Sequence, residues 1–418
     1  MSNNRFTGRL LTAAAVAALA AGTLSACGSS SAGSSSDGGK EASSMYTWIT
    51  NDSDRAQWQA FVDAAKEKDP EFNLALEGPS FNDYWTKVKT RLSSSGAPCI
   101  ITTQAARTQE LKDLTVPLDE LAKSNNIDVS MYNKAMIDGL TVDGTLRGIP
   151  YDAEPVVLYY NKDLLAAAGV KEPTLSYTTE QFSADLKALT KEGVTGLAVP
   201  PGFASGPGLA LAFANGNEPV KDAKLDLTNA GLVKDQQFAF DLVAKEKVAN
   251  APQASDGTDV PEQQFMSGKA AMIIDGPWMY ETLTTKTQGK VGIAVVPSDS
   301  GESTGMIQGS AFAIAASCKD KEAAFKNIMK ITTPEVVGAV GAARGTVPSV
   351  DSAVKDWAAN KPASDVAVVE ALLKSGRPLV TTPSWNQVET TFSQYSGEGF
   401  RGSKSAQEIL STISNSAK

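Results

Sequence analysis

The chain has 418 residues, room for two or three domains, and its 42% hydrophobic and 20% charged residues are globular rather than disordered values. Lys and Arg number 38 against 47 Asp and Glu, a net charge of −9 without long basic runs, which argues against nucleic acid or an anionic bilayer as partner because both need clustered cations. There is no histidine, so imidazole triads, imidazole metal sites and imidazole proton shuttles are removed together.

Residues 1–26 read as an export address. Arg5 and Arg9 give a positive start, residues 10–23 are mostly Ala, Leu and Val, and Leu24-Ser25-Ala26-Cys27 resembles the bacterial lipobox, in which the cysteine thiol receives a diacylglyceryl group. The apolar run of about 14 residues falls short of the roughly 20 that a spanning helix needs. Two acyl chains, at about 0.8 kcal/mol per buried CH₂, hold a protein where one lets it leave. Residues 27–43, rich in Gly and Ser, then read as a flexible tether. The expected location is the extracellular face of the cell membrane, with the lipid on Cys27.

Beyond the tether, short apolar runs alternate with amphipathic ones. Residues 45–50 read as a strand, 55–68 as a helix with Trp58, Phe61, Val62 and Ala65 on one face, and 72–76 as a second strand. Residues 82–93 form a helix burying Trp85, Val88 and Leu92 behind an Asn82 cap, and 99–102 a third strand. This order implies a parallel sheet covered by helices. Further along, 156–160, 270–274 and 291–295 read as strands. Helices are expected at 162–168, ended by Gly169, at 179–192, ended by Gly193, and at 321–330, 366–374 and 405–414. Cys99 and Cys318 lie in or beside apolar runs. They are either two buried small residues or, if their strands are neighbours, a disulfide of the kind export permits.

Four segments in order carry a family resemblance. Gly148-Ile149-Pro150-Tyr151 leads to Val157-Leu158-Tyr159-Tyr160-Asn161-Lys162-Asp163-Leu164. Phe265-Met266-Ser267-Gly268-Lys269-Ala270-Ala271-Met272 leads to Asp275-Gly276-Pro277-Trp278. Gln308-Gly309-Ser310-Ala311-Phe312 and Arg344-Gly345-Thr346-Val347-Pro348 follow. Together, behind a lipobox, they resemble the maltose-binding-protein-like family of sugar-binding, extracellular solute-binding proteins that serve bacterial ABC importers. One departure is Pro98-Cys99, where the family often has Pro-Asp.

The resemblance implies a two-lobe, type II periplasmic-binding-protein-like α/β fold, with a hinge of three crossings and an interlobe ligand cleft. Residues 44–153 and 309–346 would form the N-terminal lobe, and 154–308 and 347–418 the C-terminal lobe. It implies a monomer that captures a carbohydrate, a di- or oligosaccharide, and delivers it to ABC permease subunits, without catalysis, cofactor or metal. A pyranose has apolar C–H faces and a hydroxyl rim, so its site needs aromatic platforms ringed by hydrogen-bonding side chains. Trp278, directly after a strand, is the first candidate platform. Trp48 and Trp385 are others, each with a core role as the alternative. Asn51 and Asp52 follow the first strand as hydroxyl partners or helix caps. Gln104 ends the third strand. Asp152 and Glu154 stand at the first crossing, Gln308 and Gly309 at the second, and Arg344 near the third, where its planar fork suits ring oxygens. Trp58, Trp85 and Trp357 read as packing.

Three other readings stand beside this one. The same fold holding a non-sugar solute keeps the architecture and changes the ligand. A secreted glycoside hydrolase would use Asp152, Glu154 or Asp275 as its carboxylate pair. A surface adhesin would more naturally show repeats or a long stalk.

Overall fold

The structure, a computed structural model, describes residues 37–417 apart from 254 and 258. The export segment, Cys27 and the first part of the tether lie outside the described residues. The end of the tether corrects the expectation for 27–43. Asp37–Ala42 is an α-helix, and Ala42 is buried in a core with Met45 and Trp58. Its carbonyl accepts a hydrogen bond from Asn327 at 3.0 Å. Lys40, Glu41 and Ala42 are good helix formers where the preceding residues are Gly and Ser, and burial of Ala42 fixes them in place.

The alternating runs build two main sheets. The five-stranded sheet has the order Ala75–Glu77, Ser44–Tyr46, Ile100–Gln104, Ser310–Ile314, Ile149–Pro150. The first three strands are parallel, as the β-α-β-α-β order demands, and Ser310–Ile314 runs antiparallel to both its neighbours. Helix Asp52–Lys66 buries Trp58, Phe61, Val62 and Ala65 in one core, and helix Phe81–Leu92 buries Trp85, Val88 and Leu92 in another. The four-stranded sheet has the order Val291–Ala294, Val157–Asn161, Ala270–Asp275, Thr195–Ala198. Its own core takes the apolar faces of helices Thr179–Leu189, Ala230–Ala244, Trp385–Phe400 and Ala406–Ser416.

Between these sheets the chain passes through a three-stranded ribbon. Glu154–Pro155 pairs antiparallel with Met306–Gln308, which pairs in parallel with Arg377–Pro378. The third passage runs beside the first: the Ala153 amide donates to the Val347 carbonyl at 2.9 Å, and the Ser349 amide to the Tyr151 carbonyl at 3.1 Å. Val347 belongs to the core of the four-stranded sheet and Val350 to that of the five-stranded sheet. The three crossings therefore lie side by side, sewn by backbone hydrogen bonds, which is the construction of a hinge.

The structure also decides between the two roles left open for the cysteines. Strands Ile100–Gln104 and Ser310–Ile314 are neighbours with Ile100 opposite Ile314. Cys99 and Cys318, at their ends, form a disulfide with a Cα–Cα distance of 4.8 Å. Among the described residues, no helix is long and apolar enough to cross a membrane.

Candidate ligand-binding site

The crossings bring two carboxylates together away from water. Asp152 and Glu154 are both buried, Glu154 to 1% exposure. Asp152 Oδ1 accepts the amide of Ser310, on the second crossing, at 2.5 Å. Glu154 Oε1 accepts the amide of Val347, on the third, at 3.2 Å. The other oxygen, Glu154 Oε2, is buried and has no hydrogen-bond partner in the protein. A buried acceptor of this kind costs about 1–3 kcal/mol until something donates to it. Burial raises both carboxyl pKa values above the usual carboxylate range, and the charge of Asp152 raises that of Glu154 further.

That shift has a sign that can be measured. Between the ordinary carboxylate range near pH 4 and the raised native values, the folded protein holds a proton that the unfolded chain has released. Stability therefore falls as pH rises through that window, by about 1.4 kcal/mol per pH unit for each proton held. Melting temperature is expected to be higher at pH 5.5 than at pH 8, and Asp152→Asn is expected to flatten the slope. An unchanged slope in the variant would remove Asp152 as its source.

Trp278 lies beside this pair. Strand Ala270–Asp275 ends in a 3₁₀ turn, Pro277–Met279, and that turn packs against Glu154–Pro155. The Tyr159 hydroxyl, which feels the charges of both Asp275 and Glu154, donates to the Gly276 carbonyl at 3.0 Å and fixes the turn. Gly276 is required, since a Cβ there would stand 2.0 Å from the indole of Trp278. Trp278 is half-buried. Asp275 accepts the Gly276 amide at 2.7 Å. Burial raises its pKa, and hydrogen bonds from Gly276 and Trp278 offset part of the rise.

The other sequence candidates fall into different places. Gln308 Nε2 donates to the Ala204 carbonyl at 3.1 Å, joining the second crossing to a loop of the four-stranded half. Gly309 is needed for close approach, because a Cβ there would meet Met136 Sδ at 2.3 Å and the Asp152 carbonyl at 2.9 Å. Gln104 ends its strand and is half-buried. Arg344 occupies the last turn of helix Pro334–Arg344, before Gly345 at φ 87°. Trp48 is half-buried and packs on Trp58, Phe81, Tyr84 and Trp85 at ring separations of 5.2–5.8 Å.

Three candidates are placed elsewhere. Asn51 is the N-cap of helix Asp52–Lys66, its side chain accepting the Asp54 amide at 3.0 Å, and Asp52 is an exposed residue of the first turn, where its charge favours the helix N-terminus. Trp385 is fully buried in the core of the four-stranded sheet, with its ring 5.8 Å from Phe203, and presents no face to a ligand. Trp58, Trp85 and Trp357 are buried, as read.

Sequence reasoning missed several charged residues at the same place. Glu262 has its carboxyl pKa raised by burial first and then by Asp275, Asp259 and Asp54. Asp54 comes from the five-stranded half and the others from the four-stranded half, so acidic groups face one another between the two. No local pattern marks Glu262, which sits in the helix Asp259–Met266 well ahead of Asp275.

Two α/β halves joined by three crossings make the type II periplasmic-binding-protein fold. The chain belongs to the bacterial extracellular solute-binding protein family, whose pattern matches residues 59–367. It is similar to the diacetylchitobiose-binding protein DasA of Streptomyces coelicolor, 23% identical over 364 residues that cover 84% of this chain and 83% of that one. An ABC substrate-binding protein of Listeria monocytogenes in complex with cycloalternan superposes with a TM-score of 0.79 at 20% identity, covering 90% of this chain and 97% of that one. The GacH receptor of Streptomyces glaucescens, solved unliganded and with acarbose, gives a TM-score of 0.76 at 22% identity, covering 89% and 96%.

Proposed function

We propose that this chain is the carbohydrate-capturing lipoprotein of an ABC importer. The N-terminal lobe is built on 44–153 with 309–346 and the C-terminal lobe on 154–308 with 347–418, with Val350, just past the third crossing, packed in the core of the N-terminal one. The ligand is a di- or oligosaccharide held where the lobes meet and handed unchanged to the permease. The single observation that carries this reading is the placing of half-buried Trp278, in a turn packed on Glu154–Pro155, beside a buried oxygen, Glu154 Oε2, that has no partner. An apolar sugar face removes indole area from water at about 25 cal/mol per Å². A sugar hydroxyl gives the orphaned oxygen the hydrogen-bond partner it lacks. Gln104, Asp152, Gln308, Gly309 and Arg344 shape the rest of the pocket, and Trp48 lies on the facing lobe.

The names of similar proteins support a carbohydrate, since diacetylchitobiose, cycloalternan and acarbose all carry hydroxyl rims. Lipidation at Cys27 would keep the monomeric receptor at the outer face of the membrane, within reach of its permease. Calorimetric titration against mono-, di- and oligosaccharides tests the ligand class. At least one is expected to bind, and melting temperature to rise with its concentration by mass action. No binding across a broad panel turns the reading towards a non-sugar solute.

A further inference from the structure

One cation is built into the boundary between the two halves. Arg107 follows strand Ile100–Gln104 and is buried, which is rare for arginine. Its guanidinium carbon lies 4.8 Å from the ring centroid of Trp85, and Nη1 pairs with the buried Glu110 carboxylate at 3.2 Å. Both contacts come from its own half, so the fork is pre-oriented before the other half arrives. From there Nη1 donates to Asn386 Oδ1 at 3.5 Å. Asn386 stands in the first turn of helix Trp385–Phe400, whose Trp385, Val388 and Phe392 fill the core of the four-stranded sheet.

One turn further along that helix is Glu389. Its two oxygens accept the amides of Phe203 and Ala204 at 3.1 and 3.0 Å. Burial raises its pKa, and the charge of Arg107 is the largest influence in the opposite direction. The Ala204 carbonyl in turn accepts Gln308 Nε2 from the second crossing. Beside Arg107, the Ala106 carbonyl accepts the Thr381 hydroxyl at 2.6 Å. A chain of polar contacts thus runs from Arg107 through the helix and the 203–204 loop to the hinge, and Arg107 supplies its charge.

We propose that Arg107 is a positioning residue that holds the first turn of Trp385–Phe400 against the end of strand Ile100–Gln104, and so sets how the two halves meet and how long a bound ligand stays. The ligand part rests on the carbohydrate reading above; the geometric part does not. With Arg107 gone, the Glu389 carboxylate loses its compensating charge, and the apposed arrangement is penalised relative to one in which water reaches that carboxylate.

Small-angle scattering of ligand-free protein, with melting temperatures in parallel, tests the geometric part. Arg107→Ala is expected to enlarge the radius of gyration, Arg107→Lys to restore part of the wild-type value, and Asn386→Ala to move it less in the same direction. Should Arg107→Ala fail to fold, Asn386→Ala and Arg107→Lys decide alone. Stopped-flow Trp fluorescence with maltotriose and diacetylchitobiose reads the ligand part. Arg107→Ala is expected to raise the dissociation rate about tenfold and leave the association rate within about twofold. A wild-type radius of gyration in the variants, even with a lowered melting temperature, overturns the proposal and leaves Arg107 as ordinary packing. If wild-type protein binds neither saccharide nor any other carbohydrate, the ligand reading fails, and the scattering still decides the role of Arg107.

Discussion

Trp385→Ala is expected to cost about 3–5 kcal/mol of folding stability, the range for emptying the space of a buried aromatic ring. Trp385 is fully buried, opens the helix Trp385–Phe400 and packs against Phe203, which in turn lies 5.0 Å from Phe392. Nothing small can refill that volume without moving the helix or the 203–204 loop. Chemical or thermal unfolding of ligand-free protein measures the loss. A ligand platform would behave oppositely, with stability retained and affinity lost. A Trp385→Ala protein of wild-type stability that no longer binds carbohydrate would return this residue to the ligand site and overturn its placement in the core.

Removing the Cys99–Cys318 bridge, as the double variant Cys99→Ala with Cys318→Ala, is expected to lower stability by about 3–5 kcal/mol. The link spans 219 residues, and a chain-entropy treatment gives long loops the larger effect. The native half of the argument is local. The Ala315 amide donates to the Cys99 carbonyl at 2.8 Å and the Cys318 amide to the Ala315 carbonyl at 3.0 Å, so the two ends stay adjacent by backbone hydrogen bonds alone. The fold should therefore survive reduction, with its effect confined to the unfolding transition. Equal melting temperatures for wild type and the double variant would show that the bridge adds nothing. Lost secondary structure would show that it is required for folding.

Much of the architecture was legible because the apolar spacing reports packing directly. The run with Trp85, Val88 and Leu92 forms the helix Phe81–Leu92 with those residues buried, although Ser80 and not Asn82 caps it, accepting the Asp83 amide at 3.4 Å. Gly169 ends its helix at φ 68°, as read. Gly193 did not: the helix Thr179–Leu189 stops earlier, and Gly193 at φ 78° serves a turn between Lys191 and Val194. The apolar residues Phe72 and Leu74 suggested a strand over 72–76, but they bury their side chains from a loop, and pairing covers Ala75–Glu77. Apolarity signals burial whatever backbone carries it.

The crossings were legible in part. Asp152, Glu154, Gln308 and Val347 carry the crossings, and the order of motifs along the chain was enough to find them. Trp385 was not distinguishable from a platform, because a Trp beside Pro and Ser says nothing about which way the ring turns. Arg107 and Glu389 lay beyond reach for a different reason. Their meaning is in a pairing across 279 residues, Arg107 with Asn386, and no local spacing records a contact between elements so far apart.

In the proposed reading a carbohydrate is held between the two halves, with one face on the indole of Trp278 and a hydroxyl donated to Glu154. The most direct measurement is calorimetric titration of wild type and Trp278→Ala with the tightest-binding saccharide from the panel. The predicted result is a loss of more than about tenfold in affinity, about 1.4 kcal/mol, with the melting temperature of the ligand-free protein little changed. Undiminished affinity in Trp278→Ala, or cleavage of the sugar during the titration, would contradict it.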